Sequence, residues 1–232
     1  MNAVLPRPPY LTRILGVALT LVFAATVAKS VDVVDIGGGT LDYPDLDSAF
    51  ADIFLNPDSN LILYGDDSSI RNRAIATGTL TNIGITSSDG TMRILKQRVT
   101  ASNPSVGGIF TIAADTTPFH LYLENLTIAD SVVNGTQSRG GAIYSGARDL
   151  DFTNSRNVIF SGNIARKTTT TTSTTNSTNH GGAIYAGGAL SFRGVENIAF
   201  NDNLADGRSD PSTGVAVVKR YSGQGGAIYG SG

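Results

Sequence analysis

The sequence predicts an all-β protein: a parallel β-helix, or solenoid of stacked coils, with a short N-terminal α-helical cap. Three observations favour this fold class. The phrase GGAI occurs three times, the short apolar segments that follow it alternate with a period of two, and the chain has 27 glycines but only 16% charged residues. Alternation with period two is typical of strands, and repetition at intervals of about 20–50 residues is typical of solenoids.

The first 30 residues are predicted to be a secretory signal peptide. Arg7 and Arg13 precede an apolar run from Ile14 to Ala28, and small residues follow that run. The run is shorter than the roughly 20 residues that a transmembrane helix needs. We therefore expect the mature chain to be exported, with the signal peptide as its only contact with a membrane.

Residues 31–65 are predicted to cap the solenoid. Leu46, Ala49 and Ile53 keep helical spacing, and Pro57 follows the end of that run. An amphipathic helix in this position covers the open end of the first coil, as the terminal repeats of solenoids require.

Residues 66–232 are predicted to form the β-helix, with repeats that start at about 107, 140, 181 and 225. GGAIYAGGALSFRGVENIAFNDNLA (181–205) aligns with 140–165 through a single one-residue gap, and in a more diverged upstream copy Asn125 takes the position of Asn157 and Asn197. Each copy contains three short strands, which become stable when coils stack and each strand pairs with its equivalent. The last copy is incomplete, so we expect the sequence to be a fragment of a longer chain.

The repeat motif supplies the candidate site residues. The glycine pair suits a corner too tight for a side chain, Ala and Ile follow it, and Phe and Asn stand at a fixed distance, where Asn tolerates a left-handed turn and can hydrogen-bond its stacked equivalent. These motif residues, which are also the candidates for adhesion, are Gly140, Gly141, Ala142, Ile143, Phe160, Asn163, Gly181, Gly182, Ala183, Ile184, Phe200, Asn203, Gly225, Gly226, Ala227 and Ile228.

The outer face of the repeat carries Tyr144, Tyr185 and Tyr229 at equivalent positions. We expect these side chains to form an aromatic ladder. Such a ladder either binds a sugar or protein partner or only stabilises the neighbouring strands.

The coupling of GGAI with FSGN and FNDN, after a secretion signal, resembles the repeats of the chlamydial polymorphic outer-membrane proteins and related autotransporter passengers. The resemblance covers residues 107–232. It implies a right-handed β-helical passenger, exposed on the cell surface at the outer membrane, that adheres to a host-cell or matrix protein or glycan. It also implies a C-terminal translocator, which this sequence does not include.

Composition excludes several other function classes. The net charge of −2 provides no basic field, so we do not expect nucleic acid as a partner. The chain has no cysteine, which removes disulfides and thiolate metal sites, and His120 and His180 lack the acidic cluster that a zinc or catalytic site needs. We therefore expect no cofactor and no metal.

The alternatives to an adhesin are a carbohydrate-active β-helix enzyme and a purely structural spacer. The best pair of carboxylates for glycoside cleavage is Asp66 and Asp67. Adjacent residues on a strand point to opposite faces, however, and Asp-Asp-Ser-Ser is typical of a turn. The polar segments 166–180 and 206–224 are expected to be displayed along one edge of the coils, which favours binding over catalysis.

Overall fold

The computed structural model describes residues 33–36, 42–52, 59–70, 73–75, 81–98, 106–135, 137–166, 178–206 and 222–231. The predicted signal peptide lies outside these residues, as does most of each segment between the later repeats. Within the described residues the fold is all-β apart from one short helix, and the paired strands are parallel.

The described strands form four sheets. The strands are β1 (Val33–Ile36), β2 (Ser59–Leu63), β3 (Asp67–Ile70), β4 (Arg73–Ile75), β5 (Asn82–Ser87), β6 (Arg93–Gln97), β7 (Phe110–Ile112), β8 (Phe119–Ala129), β9 (Val132–Asn134), β10 (Ile143–Ser145), β11 (Leu150–Thr153), β12 (Arg156–Ser161), β13 (Ile164–Arg166), β14 (Thr178–His180), β15 (Ile184–Ala186), β16 (Leu190–Arg193), β17 (Glu196–Asn201), β18 (Leu204–Asp206), β19 (Ser222–Gln224) and β20 (Ile228–Gly230).

Each sheet is a ladder of strands from successive repeats. The largest follows the order β1-β2-β5-β8-β11-β16, and the long strand β8 joins β6 and β12 to it as well. The other sheets follow the orders β4-β7-β10-β15-β20, β9-β13-β18 and β14-β19. A strand therefore pairs with its equivalents in the repeats before and after it, and its backbone hydrogen bonds run between repeats.

The register of these ladders agrees with the alignment of the repeats. Phe160 pairs with Phe200, and their rings stack with centroids 4.9 Å apart. Phe152 pairs with Phe192 in the neighbouring strand position, at a ring distance of 5.0 Å. The predicted alignment of like residues in successive repeats is confirmed for these strands.

A left-handed residue divides β8 into two segments that both turn apolar side chains inward. Phe119, Leu121 and Leu123 are buried in the first segment, and Leu126 starts the buried series of the second. Strict alternation from Leu123 would place position 126 on the outer face. Asn125, which lies between the two segments, has φ of 55° and shifts the alternation by one residue. Each of these large apolar side chains contributes roughly 1.5–3 kcal/mol by its burial.

The helix, α1 (Leu46–Asp52), is the part of the predicted cap that the structure describes as helical. Leu46 and Ala49 are fully buried in the apolar core. The range 31–65 also contributes β1 and β2 to the largest sheet, so it contains more strand than helix. Support for a helical cap is accordingly limited to this one short element, and the predicted helical position 53 lies outside the described residues.

Candidate functional site

The glycine pair of each repeat forms a tight corner before the strands of the β4-β7-β10-β15-β20 sheet. The first glycine of each pair has φ between 51° and 61°, a conformation that glycine adopts without steric cost: Gly107, Gly140, Gly181 and Gly225. In the first three pairs the second glycine leaves no room for a side chain; a Cβ atom on Gly141, for example, would lie 1.9 Å from the carbonyl oxygen of Gly182. Close stacking of successive repeats therefore requires this pair.

The alanine and isoleucine of the motif face the interior. Four of them are fully buried: Ala142, Ile143, Ala183 and Ile184. In the last copy Ala227 and Ile228 are half-buried, and Gly225 and Gly226 are exposed. In the earlier copies these motif residues build the core, and the side chains that alternate with them lie on the outer face.

The asparagine that follows Phe160 connects three repeats. Asn163 is fully buried; its Oδ1 accepts a hydrogen bond from the Ser131 backbone N–H at 3.2 Å. Its Nδ2 donates to the carbonyl oxygen of Ile128 at 2.9 Å and to Oδ1 of Asn203 at 2.8 Å. Asn203 in turn donates from Nδ2 to the Phe160 carbonyl oxygen at 2.9 Å. The predicted bond between stacked asparagines is therefore present.

The left-handed residue at this turn is not the asparagine itself. The left-handed conformation falls on the residue directly before the motif position. These residues stack on one another in successive repeats and have φ between 53° and 65°: Asp130, Gly162 and Asp202. The motif asparagines Asn163 and Asn203 are kept for hydrogen bonding. A second row of asparagines does take the left-handed conformation, with φ between 52° and 55°: Asn125, Asn157 and Asn197.

The three tyrosines form the expected ladder on the outer face. The Tyr144 and Tyr185 rings lie 5.2 Å apart with 14° between their planes, and the Tyr185 and Tyr229 rings lie 5.3 Å apart with 10° between theirs. This stacking covers both faces of the middle ring, and Tyr185 is only 9% exposed. The ladder consequently presents ring edges along its length, and a sugar ring has no free face of Tyr185 on which to stack.

A second row of side chains lies beside the ladder. Val106, Arg139, His180 and Gln224 occupy one ladder position of successive repeats, and each directly precedes the first glycine of a pair. The guanidinium carbon of Arg139 lies 5.2 Å from the centroid of the Tyr185 ring. His180 ends strand β14 and packs edge-on against Tyr229, with ring centroids 4.3 Å apart.

This corner is electropositive. Burial lowers the pKa of His180, and the positive charge of Arg139 lowers it further. Arg139 donates from Nη2 to Oε1 of Gln137 at 3.1 Å, its Nε is buried without an acceptor, and no carboxylate in the described part of the chain pairs with it. Other basic residues do pair with carboxylates: Arg93, Lys96, Arg156 and Arg193.

The two adjacent aspartates considered for catalysis hold backbone groups of other segments. Oδ1 of Asp66 accepts a hydrogen bond from the Ile94 N–H at 2.8 Å. Oδ2 of Asp67, a buried carboxylate, accepts one from the Leu46 N–H at 2.7 Å, at the start of α1. These bonds give both carboxylates a structural use.

A polar cluster that the sequence did not reveal surrounds Asp151, which is buried although it lies on the outer face. Its Oδ2 lies 3.2 Å from both Nδ1 of His120 and Nε of Arg193, and its Oδ1 accepts a 2.6 Å hydrogen bond from the Ser191 hydroxyl. His120, Asp151 and Ser191 share one ladder position, so comparing outward positions across repeats would have found them.

Neither a metal site nor a membrane-spanning helix is found among the described residues. No three side chains of His, Asp or Glu gather there as metal ligands. The single described helix is too short and not apolar enough to cross a bilayer.

Comparison with protein-family models gives two matches in this region. The Chlamydia polymorphic membrane protein repeat matches residues 157–187 and 197–231. Each match begins at a left-handed asparagine of the stacked row and continues through the next glycine pair to the tyrosine ladder. No curated protein and no solved structure matches the chain. Two segments of the chain thus match the repeat of this family, and over these residues the resemblance drawn from the GGAI and FxxN motifs is confirmed.

Proposed function

We propose that this chain, two segments of which match the repeat of the chlamydial polymorphic membrane protein family, is a surface-exposed β-helical adhesin of the autotransporter-passenger type. Its partner is a host-cell or matrix molecule, either a protein or a glycan. The coils act as a rigid support, and the outward side chains and the segments 167–177 and 207–221 make the contacts. This function requires binding and no bond-making chemistry.

The proposal includes a right-handed parallel β-helix over residues 66–232. Parallel, in-register pairing between consecutive repeats supports it, because that is how the coils of a solenoid stack. Parallel strands of one sheet are joined by right-handed connections in about 98% of cases, which favours the right hand.

The observation that carries the adhesive role is the tyrosine ladder with Arg139 beside it, in a segment that overlaps the matched repeats. Tyrosine and arginine are enriched among the residues that dominate protein interfaces. Here Tyr144 and Tyr229 are half-buried and accessible at their edges, and Arg139 has no carboxylate partner among the described residues. Stacked tyrosines would stabilise the strands of a spacer as well, so the arginine without a carboxylate partner among the described residues is the feature that favours binding.

Adhesion of the purified chain tests the proposal. Beads coated with the folded chain are expected to attach saturably to cultured epithelial cells or to matrix-coated wells, at several times the level of beads coated with urea-denatured chain. A variant in which residues 167–177 and 207–221 are replaced by Gly-Ser linkers of equal length measures what these segments contribute. Attachment no greater than that of the denatured control would refute an adhesive role and favour a spacer.

Incubation with acidic polysaccharides addresses the enzymatic alternative. An adhesin leaves chain length and reducing ends unchanged, whereas a lyase or hydrolase generates unsaturated or reducing ends. Cleavage that survives removal of Asp66 and Asp67 would place an active site elsewhere on the coils.

A further inference from the structure

We infer that the corner formed by Arg139 and the tyrosine ladder docks an acidic, extended polypeptide segment of the partner, through its Asp or Glu side chains. This inference rests on the proposed adhesive function and names the chemistry that the partner presents.

The tyrosine ladder presents ring edges to solvent along its length. An aromatic ring is electronegative on its face and electropositive at its edge. Because Tyr144, Tyr185 and Tyr229 cover one another's faces at 5.2 and 5.3 Å, the ladder turns edges and phenol hydroxyls outward. None of the three hydroxyls hydrogen-bonds to a residue within the described ranges, so each can donate to an incoming acceptor.

The corner beside the ladder contains a cation that no carboxylate among the described residues neutralises. Arg139 is half-buried, and its guanidinium has donors left over after the single bond to Gln137. A guanidinium binds a carboxylate through two parallel hydrogen bonds. The row beside the ladder, Val106, Arg139, His180 and Gln224, contains no Asp or Glu, and neither does the ladder row of Thr111 and the three tyrosines. Burial lowers the pKa of the neighbouring His180, and the charge of Arg139 lowers it further.

The covered ring faces favour a peptide over an acidic sugar. A sugar ring binds aromatic side chains through their faces, which are covered in the middle of this ladder. A uronic acid also carries its carboxylate directly on a bulky ring, whereas the carboxylate of Glu ends a flexible stem that can reach between side chains. In an extended peptide, alternate side chains lie on one face, so several carboxylates can meet the row of ring edges.

A direct binding measurement tests this inference. The probe is a fluorescein-labelled peptide of six Gly-Glu repeats, and its uncharged match is a peptide of six Gly-Gln repeats. Fluorescence polarisation with the full chain at pH 7.5 and low salt is expected to detect the Gly-Glu peptide alone, with affinity falling as salt is added. The Arg139→Gln substitution is expected to weaken this binding about tenfold, the effect of one lost charged hydrogen-bonded pair.

The matched control is Arg98→Gln, which removes the same charge from an exposed arginine after strand β6. It is expected to change the affinity less than twofold. Equal weakening by both substitutions would overturn the inference, because net charge alone would then explain binding. Tighter binding of an oligogalacturonate of equal charge than of the peptide would also overturn it, in favour of an acidic glycan.

A second variant covers the case in which Arg139→Gln lowers the melting temperature. Tyr144→Phe together with Tyr229→Phe removes two hydroxyl donors and keeps the stacked rings. Weakening of peptide binding by threefold or more supports the inference, and unchanged affinity refutes it.

The bead assay separates the docking site from the adhesive function. If beads carrying Arg139→Gln attach to cells like the parent, the docking site is wrong and adhesion stands; peptide binding without cell attachment means that the docking site stands and adhesion is wrong.

Discussion

The substitution Asn163→Asp replaces one buried amide nitrogen by a carboxylate oxygen at the junction of three repeats. The amide accepts one hydrogen bond and donates two, to the carbonyl oxygen of Ile128 and to Oδ1 of Asn203. An ionised carboxylate keeps the accepted bond, loses both donated bonds and faces two acceptor oxygens. Oδ1 of Asn203 keeps the hydrogen bond from the Asn163 backbone N–H at 3.1 Å, so the cost comes from the lost bond to Ile128 and from a buried charge that faces two oxygens. At about 1–3 kcal/mol for an unsatisfied buried group, and more for a charged one, we expect a loss on the order of 4 kcal/mol in the free energy of unfolding at pH 7.

The sign of the pH dependence gives a second test. Burial and the facing oxygens raise the pKa of a carboxyl at position 163 in the folded state. The folded variant then binds a proton more readily than the unfolded chain, so its deficit relative to the parent grows as the pH rises above about 4. Asn163→Ala removes the same amide without adding charge, and its deficit, about 2–4 kcal/mol, should not depend on pH.

Urea denaturation followed by circular dichroism at pH 4.5 and pH 7 measures both effects. A free energy of unfolding of Asn163→Asp within about 1 kcal/mol of the parent's at pH 7 would refute the predicted loss. The predicted pH dependence would be refuted if the difference from the parent were the same at both pH values for Asn163→Asp as well as for Asn163→Ala.

Three further predictions concern the corner, the core and the ladder. Gly141→Ala should cost about 3 kcal/mol or more or prevent folding, because its Cβ would lie 1.9 Å from a backbone oxygen, whereas Gly65→Ala, with no atom within 4 Å, should stay within about 0.5 kcal/mol of the parent; equal melting temperatures contradict the corner geometry. Phe160→Ala, at a fully buried ring, should lower the free energy of unfolding by about 3–5 kcal/mol, and Phe192→Ala, at a ring that is 40% exposed, by about 1 kcal/mol. Similar midpoints of urea denaturation for the two variants would argue against the assigned core. Because the pKa of His180 is lowered in the folded state, the unfolded chain takes up a proton first as the pH falls, and stability that is present above about pH 6.5 is lost. The melting temperature of the parent should therefore fall further between pH 7.5 and pH 5.5 than that of His180→Gln. Equal falls for the two proteins would exclude His180 as the cause.

Repetition made the register predictable from the sequence. The alignment that places Phe160 over Phe200 and Asn157 over Asn197 is the pairing that the strands adopt, because equivalent residues of stacked repeats must occupy equivalent positions. The single gap in that alignment lies in the turn after the tyrosine, where the chain is free to differ in length.

Interactions between unlike residues escaped the pattern. Arg139 and His180 share one ladder position, but their residue types differ from copy to copy, so only their place before the glycine pair marks them. The bond from Leu46 to Asp67 joins residues that are distant in sequence and belong to no repeat. Nor does residue type tell which asparagine takes the left-handed turn, since Asn157 does and Asn163 relies on its neighbour.

The pairing of strands on either side of the inter-repeat segments has a consequence for the length that those segments can take. Ile164 pairs with Leu204 just before segments 167–177 and 207–221, and Thr178 pairs with Ser222 just after them, although the two segments differ in length. Insertions, deletions and replacements there leave the hydrogen-bonded framework in place. Two segments of different length are therefore compatible with the same pairing of the strands that flank them.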